Sequence, residues 1–433
     1  MPDRRLRDHL EHALAELVPG PILVALSGGL DSTTLLHALA RSRAARERGL
    51  RAVHVDHRLH ADSAKWSRRC AELAEQLDVP LETREVEVAR APGLGLEATA
   101  RRVRYAAIEA MLGDGEILAL GHHRDDQAET VLLKLLRGAG PEGLGGMRDL
   151  RGFGAGHLWR PLLAESRSTL LAYAHEYELH WLDDPSNSDM TLRRNFLRGD
   201  ILPRLRTRWR DADAALAHSA VWARSAADFI DGEARKALVK IQGLDPATLF
   251  WRDWLALPDA LRDPVLRLWL RELRLDEPAH FHVAELERQL RDSGEDRLPC
   301  VRFGDSELRR YRDLLYALRP LPAVPVNWET QWDGSGTLAL PVGGQLELAP
   351  PQKFEPPLVV RYRRGGERIR PAGSAHTREL RLLLQEAGMP PWLRGHIPLV
   401  FRDGELIAVG DLFFNGALAD SGTRIRFDPP AAP

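Results

Sequence analysis

The sequence predicts an α/β fold. A doubly wound parallel-sheet domain is followed by a helical domain and a small α+β C-terminal domain. In the first part of the chain, short apolar runs alternate with helical patterns, which is typical of a parallel sheet covered on both faces. A long stretch rich in Leu, Trp and Arg follows, and its pattern is helical. After a proline-rich segment the chain changes to alternating patterns that indicate short strands.

The parallel sheet is predicted from four apolar runs and the helical stretches between them. The predicted strands are Ile22–Leu26, Arg51–Val55, Leu81–Val88 and Glu116–Leu120. The predicted helices run to Leu39 after the first strand and then over Ser63–Leu77, Glu97–Met111 and Asp125–Leu136. Before the first strand, Leu6, Leu10, Leu14 and Leu17 have helical spacing and predict an amphipathic helix, not a signal peptide. Ligands of such a sheet bind at the carboxyl ends of its strands.

The chain of 433 residues is too long for a single core, so we expect three domains over residues 1–210, 211–320 and 328–433. Helical sequence is predicted to about Lys240 and again over Phe250–Leu318, with a boundary at Gln242–Pro246. Residues 319–325 read as a stiff, proline-rich linker. Beyond it we predict a hairpin over residues 336–350 and one helix over Thr377–Ala387.

The bulk composition excludes some classes of protein and leaves others open. The chain has 60 basic and 62 acidic residues, so its net charge of −2 argues neither for nor against a nucleic-acid partner. The two cysteines, Cys70 and Cys300, form no CxxC motif and give no disulfide framework. No apolar run approaches the length of a membrane span, so we expect a cytoplasmic protein without a membrane partner.

A glycine-rich turn follows the first predicted strand and opens a helix: Ser27, Gly28, Gly29, Leu30, Asp31 and Ser32. Glycines allow a tight turn and a close approach to ligand, and a helix N-terminus offers N–H groups to phosphate. The Lys of a Walker loop is absent. Asp31 would repel phosphates unless a cation lay between them, which suggests Mg²⁺. The alternative is an ordinary turn whose Ser and Asp cap the helix.

This turn resembles the PP-loop of the N-type ATP pyrophosphatases. The resemblance implies that ATP is a substrate, that an oxygen of a second substrate attacks its α-phosphate, and that the loop holds the departing pyrophosphate. That superfamily includes GMP, asparagine and argininosuccinate synthetases and several tRNA-modifying enzymes, and the loop alone does not choose among them.

An ordered series of further motifs narrows the choice. They are His54–Leu59, Ala100–Tyr105, Gly121–Thr130, Leu136–Gly138, Arg160–Leu162, Asp184–Asp189, Arg194–Arg198, Arg364–Arg368 and Gln385–Trp392. Together they resemble the tRNA(Ile)-lysidine synthase family over about residues 20–205 and in the C-terminal region. The resemblance implies an ATP-dependent carbon–nitrogen ligase. It would join L-lysine to C2 of the wobble cytidine of the isoleucine tRNA with a CAU anticodon, releasing AMP and pyrophosphate.

Asp126 and Glu129 lie three residues apart at the start of a predicted helix, so both project from one face. Two carboxylates suit an ammonium group, and by resemblance this pair binds the lysine together with Arg194. Which carboxylate would act as a base stays open. Two alternatives are a metal cluster with His122 and His123, or a helix start capped by aspartates with Glu129 in solvent.

The remaining predicted contacts are assigned to ATP and to tRNA. For ATP they are the loop residues with the backbone of Val55 and His57 near adenine, by analogy of fold, and Arg101 and Arg104 near phosphates. For tRNA they are Arg137, Arg198, Arg361, Arg363, Arg364 and Arg368. Solvated helix faces and surface ion pairs are the alternatives for these arginines. His60 and Leu192 depart from the residues usual in the family.

The glycine-rich segment Arg137–Met147 is predicted to be mobile and to close over a base or the adenylate, or else to be an ordinary long loop.

Three other functions are alternatives to the ligase: a tRNA thiolase of the same superfamily, an amidotransferase-type synthetase, and a non-catalytic RNA-binding protein. Two cysteines far apart in sequence argue against the thiolase. The oligomeric state stays open, with a homodimer as one option.

Overall fold

The computed structural model describes residues 2–58, 62–88, 96–183, 189–294, 297–416, 418 and 422–429. The chain divides into two compact units, Met1–Phe229 and Ile230–Pro433. Three predicted features fall partly or wholly outside the described residues. They are the end of the His54–Leu59 motif at Leu59, the departure at His60, and residues 184–188 of the Asp184–Asp189 motif. Among the helices that are described, none is both long enough and apolar enough to cross a membrane.

The first unit is built around one six-stranded sheet. Its strands are β1 (Ile22–Ala25), β2 (Leu50–Asp56), β3 (Leu81–Glu85), β4 (Ile117–Ala119), β5 (Leu150–Phe153) and β6 (Gly156–Trp159). Its helices are α1 (Pro2–Glu16), α2 (Leu30–Ala40), α3 (Arg43–Glu47), α4 (Ser63–Gln76), α5 (Leu96–Glu109), α6 (Arg124–Leu135), α7 (Pro141–Leu144), α8 (Arg167–Glu176), α9 (Arg193–Phe196), α10 (Leu202–Arg208) and α11 (Ala212–Ile241). A π-helical turn, Leu197–Ile201, joins α9 to α10. Helix α11 continues into the second unit.

The strand order is β3–β2–β1–β4–β6–β5, and all neighbours are parallel except the edge pair β5–β6. In β1, for example, Ile22 pairs with Leu50 on one side and with Ile117 on the other. The four predicted strands and the helices between them are confirmed, and with them the doubly wound parallel sheet.

Both faces of the central strands are covered, which explains why β1, β2 and β4 are mostly buried and do not alternate. Ile22 and Val24 of β1 face a core that includes Leu10 of α1. The intervening Leu23 faces the opposite core with Ile108 of α5. The predicted amphipathic helix is confirmed, since Leu6, Leu10, Leu14 and Leu17 are all buried.

One prediction for the first unit is wrong. Residues after Met147 were expected to be helical, but β5 and β6 form an antiparallel hairpin that extends the sheet. Its turn contains Gly154, whose φ of +52° suits glycine. The hairpin matters for the site because it places Arg160 directly after the parallel strand β6.

The second unit begins with a helical part and adds strands that the sequence pattern did not predict. The helices are α12 (Trp251–Ala256), α13 (Asp259–Glu272) and α14 (His280–Asp292). The strands are β7 (Thr248–Phe250), β8 (Cys300–Phe303), β9 (Ser306–Tyr311) and β10 (Leu314–Leu318). They form an antiparallel sheet in the order β7–β10–β9–β8. The prediction of helix up to Leu318 is therefore wrong beyond Asp292. The predicted helical region is confirmed for α12, α13 and α14.

The rest of the second unit consists of short antiparallel strands and one helix. The strands are β11 (Glu329–Trp332), β12 (Leu338–Ala339), β13 (Gln345–Ala349), β14 (Leu358–Arg361), β15 (Arg368–Ile369), β16 (Arg378–Glu379), β17 (Leu399–Arg402), β18 (Glu405–Val409), β19 (Phe413–Phe414) and β20 (Arg424–Asp428). The helix, α15 (Leu380–Glu386), lies inside the predicted range. The predicted hairpin is also confirmed, as β12 pairs with β13.

Contacts within the second unit join the parts on either side of the proline-rich segment. Arg394 Nη2 donates to Tyr311 Oη at 3.1 Å, and Arg312 Nη2 donates to the Gln385 carbonyl at 2.5 Å. The ring of Trp392 packs edge-on against Tyr316. The middle and C-terminal parts therefore form one packed body.

Candidate functional site

The functional residues of the first unit collect where its parallel strands end. Ser27 follows β1 closely, His57 follows β2, Gly121 follows β4, and Arg160 follows β6. Because β1, β2, β4 and β6 run in the same direction, these four positions lie along one edge of the sheet. The motif residues therefore lie at the edge where sheets of this kind bind their ligands, and their binding of a ligand stays a prediction.

The loop between β1 and α2 is closed on itself by two hydroxyl groups. Ser32 Oγ accepts a hydrogen bond from Ser27 N at 3.1 Å and lies 3.0 Å from Ser27 Oγ. Gly28 has a φ of +82°, which favours glycine, and Gly29 is the N-cap of α2. The first N–H groups of a helix have no acceptor within the helix. This loop therefore presents unsatisfied amides suited to a phosphate group.

Gly121 lets the end of β4 approach the start of α2. A Cβ atom at this position would lie 2.9 Å from the backbone carbon of Asp31 and 3.0 Å from Ser32 N. Real Cβ atoms do not tolerate such contacts with backbone atoms. Glycine here is what allows the phosphate loop and the following His122 and His123 to share one site.

Asp31 is positioned for a positively charged ligand. Its Oδ1 atom is buried and has no hydrogen-bond partner among the described residues. His123 Nε2 lies 3.6 Å from this atom. Burying an unpartnered carboxylate oxygen is unfavourable, so this geometry fits a bound cation beside the phosphate loop. Within the described residues, no group of three or more His, Cys, Asp or Glu side chains is arranged to hold a metal ion.

His123 connects Asp31 with the acidic helix. It is the N-cap of α6: its Nδ1 accepts from Asp126 N, and its own N donates to Asp126 Oδ2 at 3.1 Å. The proton of the ring therefore lies on Nε2, which is 3.6 Å from Asp31 Oδ1 and 3.5 Å from Asp126 Oδ2. Burial opposes protonation of His123, but the nearby aspartates outweigh it and raise its pKa.

Asp126 and Glu129 form a buried ion-pair cluster with two arginines. Arg194 Nε donates to Glu129 Oε2 at 2.7 Å, and Arg198 Nε donates to Glu129 Oε1 at 2.6 Å. Asp126 Oδ1 accepts from Arg198 Nη2 at 2.9 Å and from Arg194 Nη2 at 3.3 Å. Burial alone would raise the pKa of Asp126, but His123 and these arginines lower it. Both carboxylates are thus paired with arginines.

This cluster bears directly on the predictions for α6. Asp126, Glu129 and Arg194 do come together, as the resemblance implied. Glu129 is only 1% exposed, so the alternative in which it is solvated is wrong. Arg198, which was assigned to tRNA, lies in the same cluster and contacts both carboxylates. Asp125 has a separate role, because it accepts from Arg206 Nη2 at 3.0 Å and so connects α6 to α10.

The other predicted ATP contacts lie after β2 and on α5. Arg104 Nε donates to His57 Nε2 at 2.9 Å, while His57 Nδ1 is buried and has no hydrogen-bond partner among the described residues. Burial, and then the charge of Arg104, lower the pKa of His57 to about 4. Arg101 is exposed and stacks on the ring of Tyr105. Val55 is the penultimate residue of β2. Their contacts with nucleotide stay a prediction.

Two residues that sequence reasoning gave no role also shape the site. Arg160 is buried; its Nε donates to His122 Nδ1 at 3.3 Å and its Nη1 to the Arg148 carbonyl at 2.6 Å. Burial lowers the pKa of His122 to about 3, so its ring is neutral. Leu182 donates its N–H to the Gly28 carbonyl at 2.9 Å. The Arg160–Leu162 motif was visible in the sequence, but no signal pointed to Leu182.

The glycine-rich segment is held at its C-terminal end. Gln127 on α6 donates from Nε2 to the Met147 carbonyl at 3.0 Å and accepts from Met147 N at 2.8 Å. Arg224 Nη2 donates to the Gly145 carbonyl at 2.7 Å. The other end, including Arg137, is exposed. Mobility of this segment stays a prediction, and the anchored residues limit it to the part before Gly145.

In the second unit, the predicted tRNA-binding arginines separate into two groups. Glu367 is buried and accepts from Arg364 N at 2.6 Å and from Arg361 Nη1 at 3.1 Å. Arg363 also lies 3.5 Å from its carboxylate. These contacts hold the Arg-Gly-Gly-Glu turn together, so the Arg361 and Arg363 side chains serve the fold. Arg364 and Arg368 are exposed, and Arg364 pairs with Glu329 at 3.0 Å.

Comparison with known proteins agrees with this architecture. A PP-loop domain model matches residues 2–205, a TilS substrate binding domain model matches residues 252–316, and a TilS substrate C-terminal domain model matches residues 358–427. The tRNA(Ile)-lysidine synthase of Xanthomonas axonopodis pv. citri is 45% identical over 410 residues, covering 92% of this chain and 91% of that protein. The enzyme of the same name from Pseudomonas aeruginosa is 40% identical and covers 99% of this chain and 98% of its own.

Among solved structures, the U34-tRNA thiolase NcsA of Methanococcus maripaludis has a TM-score of 0.42 and 17% identity. The match covers 50% of this chain and 76% of the NcsA chain. A TM-score this low supports no conclusion about function.

The loop between β1 and α2, together with the matching domain model, makes the first unit a PP-loop domain. The identity and coverage of the two relatives also identify the family. This chain belongs to the tRNA(Ile)-lysidine synthase family.

Proposed function

We propose that this chain is an ATP-dependent carbon–nitrogen ligase that joins L-lysine to the wobble cytidine of the isoleucine tRNA with a CAU anticodon. The observation that carries the proposal is the direct connection between the phosphate loop and the acid pair. His123 lies 3.6 Å from Asp31 and also caps the helix that bears Asp126 and Glu129. A nucleotide bound at the loop and an amine bound at the acid pair would therefore meet at one place.

In the first step, the cytidine O2 attacks the α-phosphorus of ATP. A bond forms between O2 and the α-phosphorus, the bond from that phosphorus to the bridging oxygen breaks, and pyrophosphate leaves. The amides at the start of α2 would stabilise the charge that develops on the departing diphosphate. Ser27 and Ser32 close the loop and keep those amides directed at the ligand.

In the second step, the lysine ε-amine attacks C2 of the adenylylated base. The bond between C2 and O2 breaks, and AMP leaves with that oxygen. A free lysine ammonium has a pKa of about 10.4, so it must lose a proton before it can attack. Asp126 and Glu129 are the nearby anionic groups that could bind the cation and accept this proton.

A divalent cation such as Mg²⁺ fits the unpartnered Oδ1 of Asp31. Bound there, it would neutralise charge on the triphosphate. Asp31 would hold that cation beside the loop, and the ring N–H of His123 lies 3.6 Å from the same carboxylate.

For the RNA partner, we propose that the exposed Arg364 and Arg368 of the second unit contact phosphates, with Arg137 acting near the anticodon. The proposed domains, residues 1–210, 211–320 and 328–433, divide catalysis from tRNA binding. A cytoplasmic setting, where tRNA and ATP are found, fits this function. A homodimer is one proposed oligomeric state.

The thiolase alternative is not favoured. A sulfur carrier needs a reactive thiolate, but Cys70 is 1% exposed and burial raises the pKa of its thiol to about 12. Cys300 belongs to the second unit and has no second cysteine beside it among the described residues.

The experiment that tests the function is pyrophosphate release from ATP in the presence of tRNA, with and without lysine. We expect release that depends on the CAU-anticodon tRNA, and AMP formation that also depends on lysine. Asp31→Ala should abolish pyrophosphate release, because the cation that would neutralise the phosphates loses its carboxylate ligand. Pyrophosphate release that is absent with every combination of substrates would instead favour a non-catalytic RNA-binding protein.

A further inference from the structure

Arg198 occupies the acid pair in the way a cationic substrate would. Its Nε donates to Glu129 Oε1 at 2.6 Å, and its Nη2 donates to Asp126 Oδ1 at 2.9 Å and to Glu129 Oε2 at 3.1 Å. These are charge-assisted hydrogen bonds of the kind that an ammonium group would make. Three of the four carboxylate oxygens of the pair are engaged by this one side chain.

The net charge of the cluster also indicates that Arg198 takes the place of a cationic ligand. Two carboxylates and the guanidinium groups of Arg194 and Arg198 sum to zero, so the cluster has no net attraction for a lysine side chain. Without the Arg198 guanidinium, Arg194 would still pair with Glu129 at 2.7 Å and with Asp126 at 3.3 Å. The cluster would then carry one net negative charge, which matches one ammonium group.

The two arginines differ in how they are held. The Arg194 side chain is 24% exposed, whereas that of Arg198 is 39% exposed, so Arg198 lies on the solvent side of the cluster. Arg198 also lies in the π-helical turn Leu197–Ile201, an irregularity that occurs often at functional sites. Arg198 is therefore the partner that can move into solvent and open the acid pair to a ligand, while Arg194 still pairs with both carboxylates.

We propose that Arg198 is an internal competitor of the substrate amine: it holds Asp126 and Glu129 until lysine displaces its guanidinium. The inference rests on the proposed function, since it assumes that lysine binds at this pair. Arg198 thereby sets the affinity for lysine and keeps two buried carboxylates paired in its absence. It is not a tRNA contact in the lysine-free state.

The test is calorimetric binding of L-lysine to the full-length chain with a non-hydrolysable ATP analogue present. Arg198→Met should bind lysine about tenfold more tightly than the wild type or tighter still, because lysine no longer has to displace the charge-assisted hydrogen bonds of Arg198. Arg204→Met is the matched control, because Arg204 is 76% exposed and its one ion pair among the described residues is with Asp200. Its lysine affinity should equal that of the wild type.

Arg198→Lys provides a second variant that keeps a cation at this position. Its lysine affinity should fall between those of the wild type and of Arg198→Met. Binding of ATP analogue and thermal melting establish that each variant is folded. If Arg198→Met binds lysine equally or more weakly than the wild type while both are folded, Arg198 positions the acid pair and the proposal is wrong.

A chemical competition experiment gives an independent reading. In Arg198→Ala, methylguanidinium should occupy the vacated position and raise the apparent lysine dissociation constant in proportion to its concentration. The wild type should show no such effect at the same concentrations. Absence of competition in the folded variant would overturn the proposal.

Failure of the competitor role and failure of the function give different results. If the wild type forms AMP in response to lysine and tRNA but the affinity order is reversed, only the role of Arg198 falls. If the wild type neither binds lysine nor forms AMP with any tRNA, the proposed function falls with it.

Discussion

The contact between Gly121 and Asp31 determines how closely the two halves of the site can approach. One strand end carries Gly121, His122 and His123, and another carries the phosphate loop. The space for a Cβ at Gly121 is filled by the backbone of Asp31 and Ser32. The identity of this one residue therefore controls the separation of the loop from the acid pair.

Gly121→Ala should displace Asp31 by some tenths of an ångström and disturb ATP activation more than folding. We expect kcat/KM for ATP to fall roughly 10- to 100-fold, the loss associated with misplaced catalytic groups. Steady-state pyrophosphate release measures it. Gly152→Ala is the control, because a Cβ there meets nothing within 4 Å. Unchanged kinetics in Gly121→Ala would show that the loop and the β4 end move independently.

His122 should remain neutral across the physiological pH range, since burial lowers its pKa to about 3. The unfolded chain binds a proton at this residue near pH 6.5 and the folded protein does not. The contribution of His122 to the free energy of unfolding is therefore complete above pH 6.5 and falls as pH decreases from 6.5 toward 3, by about 1.4 kcal/mol per pH unit.

The His122 titration can be followed by the ¹⁵N chemical shifts of labelled histidine rings, with His122→Asn for assignment. A ring that stays neutral to pH 5 is expected. A midpoint near 6.5 would contradict the buried, arginine-facing environment of His122.

At the scale of elements, helix α6 makes two different sets of contacts from two of its faces. One face carries Asp126 and Glu129 into the ion-pair cluster. Another carries Gln127, which forms paired hydrogen bonds with Met147 and so fixes the end of the glycine-rich segment. The same helix thus connects the amine site with the segment that we expect to move.

Gln127→Ala should loosen the end of the glycine-rich segment, because Met147 N loses its acceptor. We expect roughly tenfold faster amide hydrogen exchange at residues 145–147, with nucleotide binding unchanged. Exchange measured by mass spectrometry, with the exposed Gln76→Ala as control, tests this. Equal exchange in both variants would mean that Arg224 alone anchors the segment.

How far the sequence predicted each element depends on the strength of its periodic pattern. The buried strands of the parallel sheet stand out as apolar runs, and SGGLDS marks the phosphate loop. The strands over residues 300–318 were mistaken for helix because their Leu and Arg content suits a helix. Their burial nevertheless alternates, with Val301, Phe303, Leu308 and Leu315 buried on one side. Tertiary packing decided between the two patterns.

The site was predictable where motifs follow strand ends, and not where its geometry depends on tertiary contacts. Asp126, Glu129 and Arg194 were grouped correctly from their motifs. Arg198 was assigned to tRNA because no motif tied it to the acid pair, and only its contacts with Glu129 and Asp126 place it in the same cluster. The hydrogen bond from Leu182 N to the Gly28 carbonyl also joins residues far apart in sequence, and no motif marks Leu182.

At the scale of the whole molecule, arginines in the second unit divide between fold and surface. Arg361 and Arg363 surround the buried Glu367, whereas Arg368 is exposed. The simple count of basic residues in this region therefore overstates the number that can contact RNA. The salt dependence of tRNA binding distinguishes the two groups.

Arg368→Gln should weaken tRNA binding and reduce the slope of log Kd against log salt concentration by roughly 0.7–0.9, the value for one lost phosphate contact. Filter binding or fluorescence anisotropy at several salt concentrations measures the slope. Arg43→Gln, which removes an exposed pair with Glu47, should leave it unchanged. A slope unaltered in Arg368→Gln would place the RNA on another surface.

The most direct test of the whole account is mass analysis of the tRNA nucleosides after incubation with ATP, CAU-anticodon tRNA and lysine labelled with ¹⁵N at the ε-nitrogen. The account predicts one cytidine heavier by a lysine less a water, with the label retained, and one AMP formed per modified base. Nucleosides that remain unlabelled while ATP is converted to AMP and pyrophosphate would contradict it.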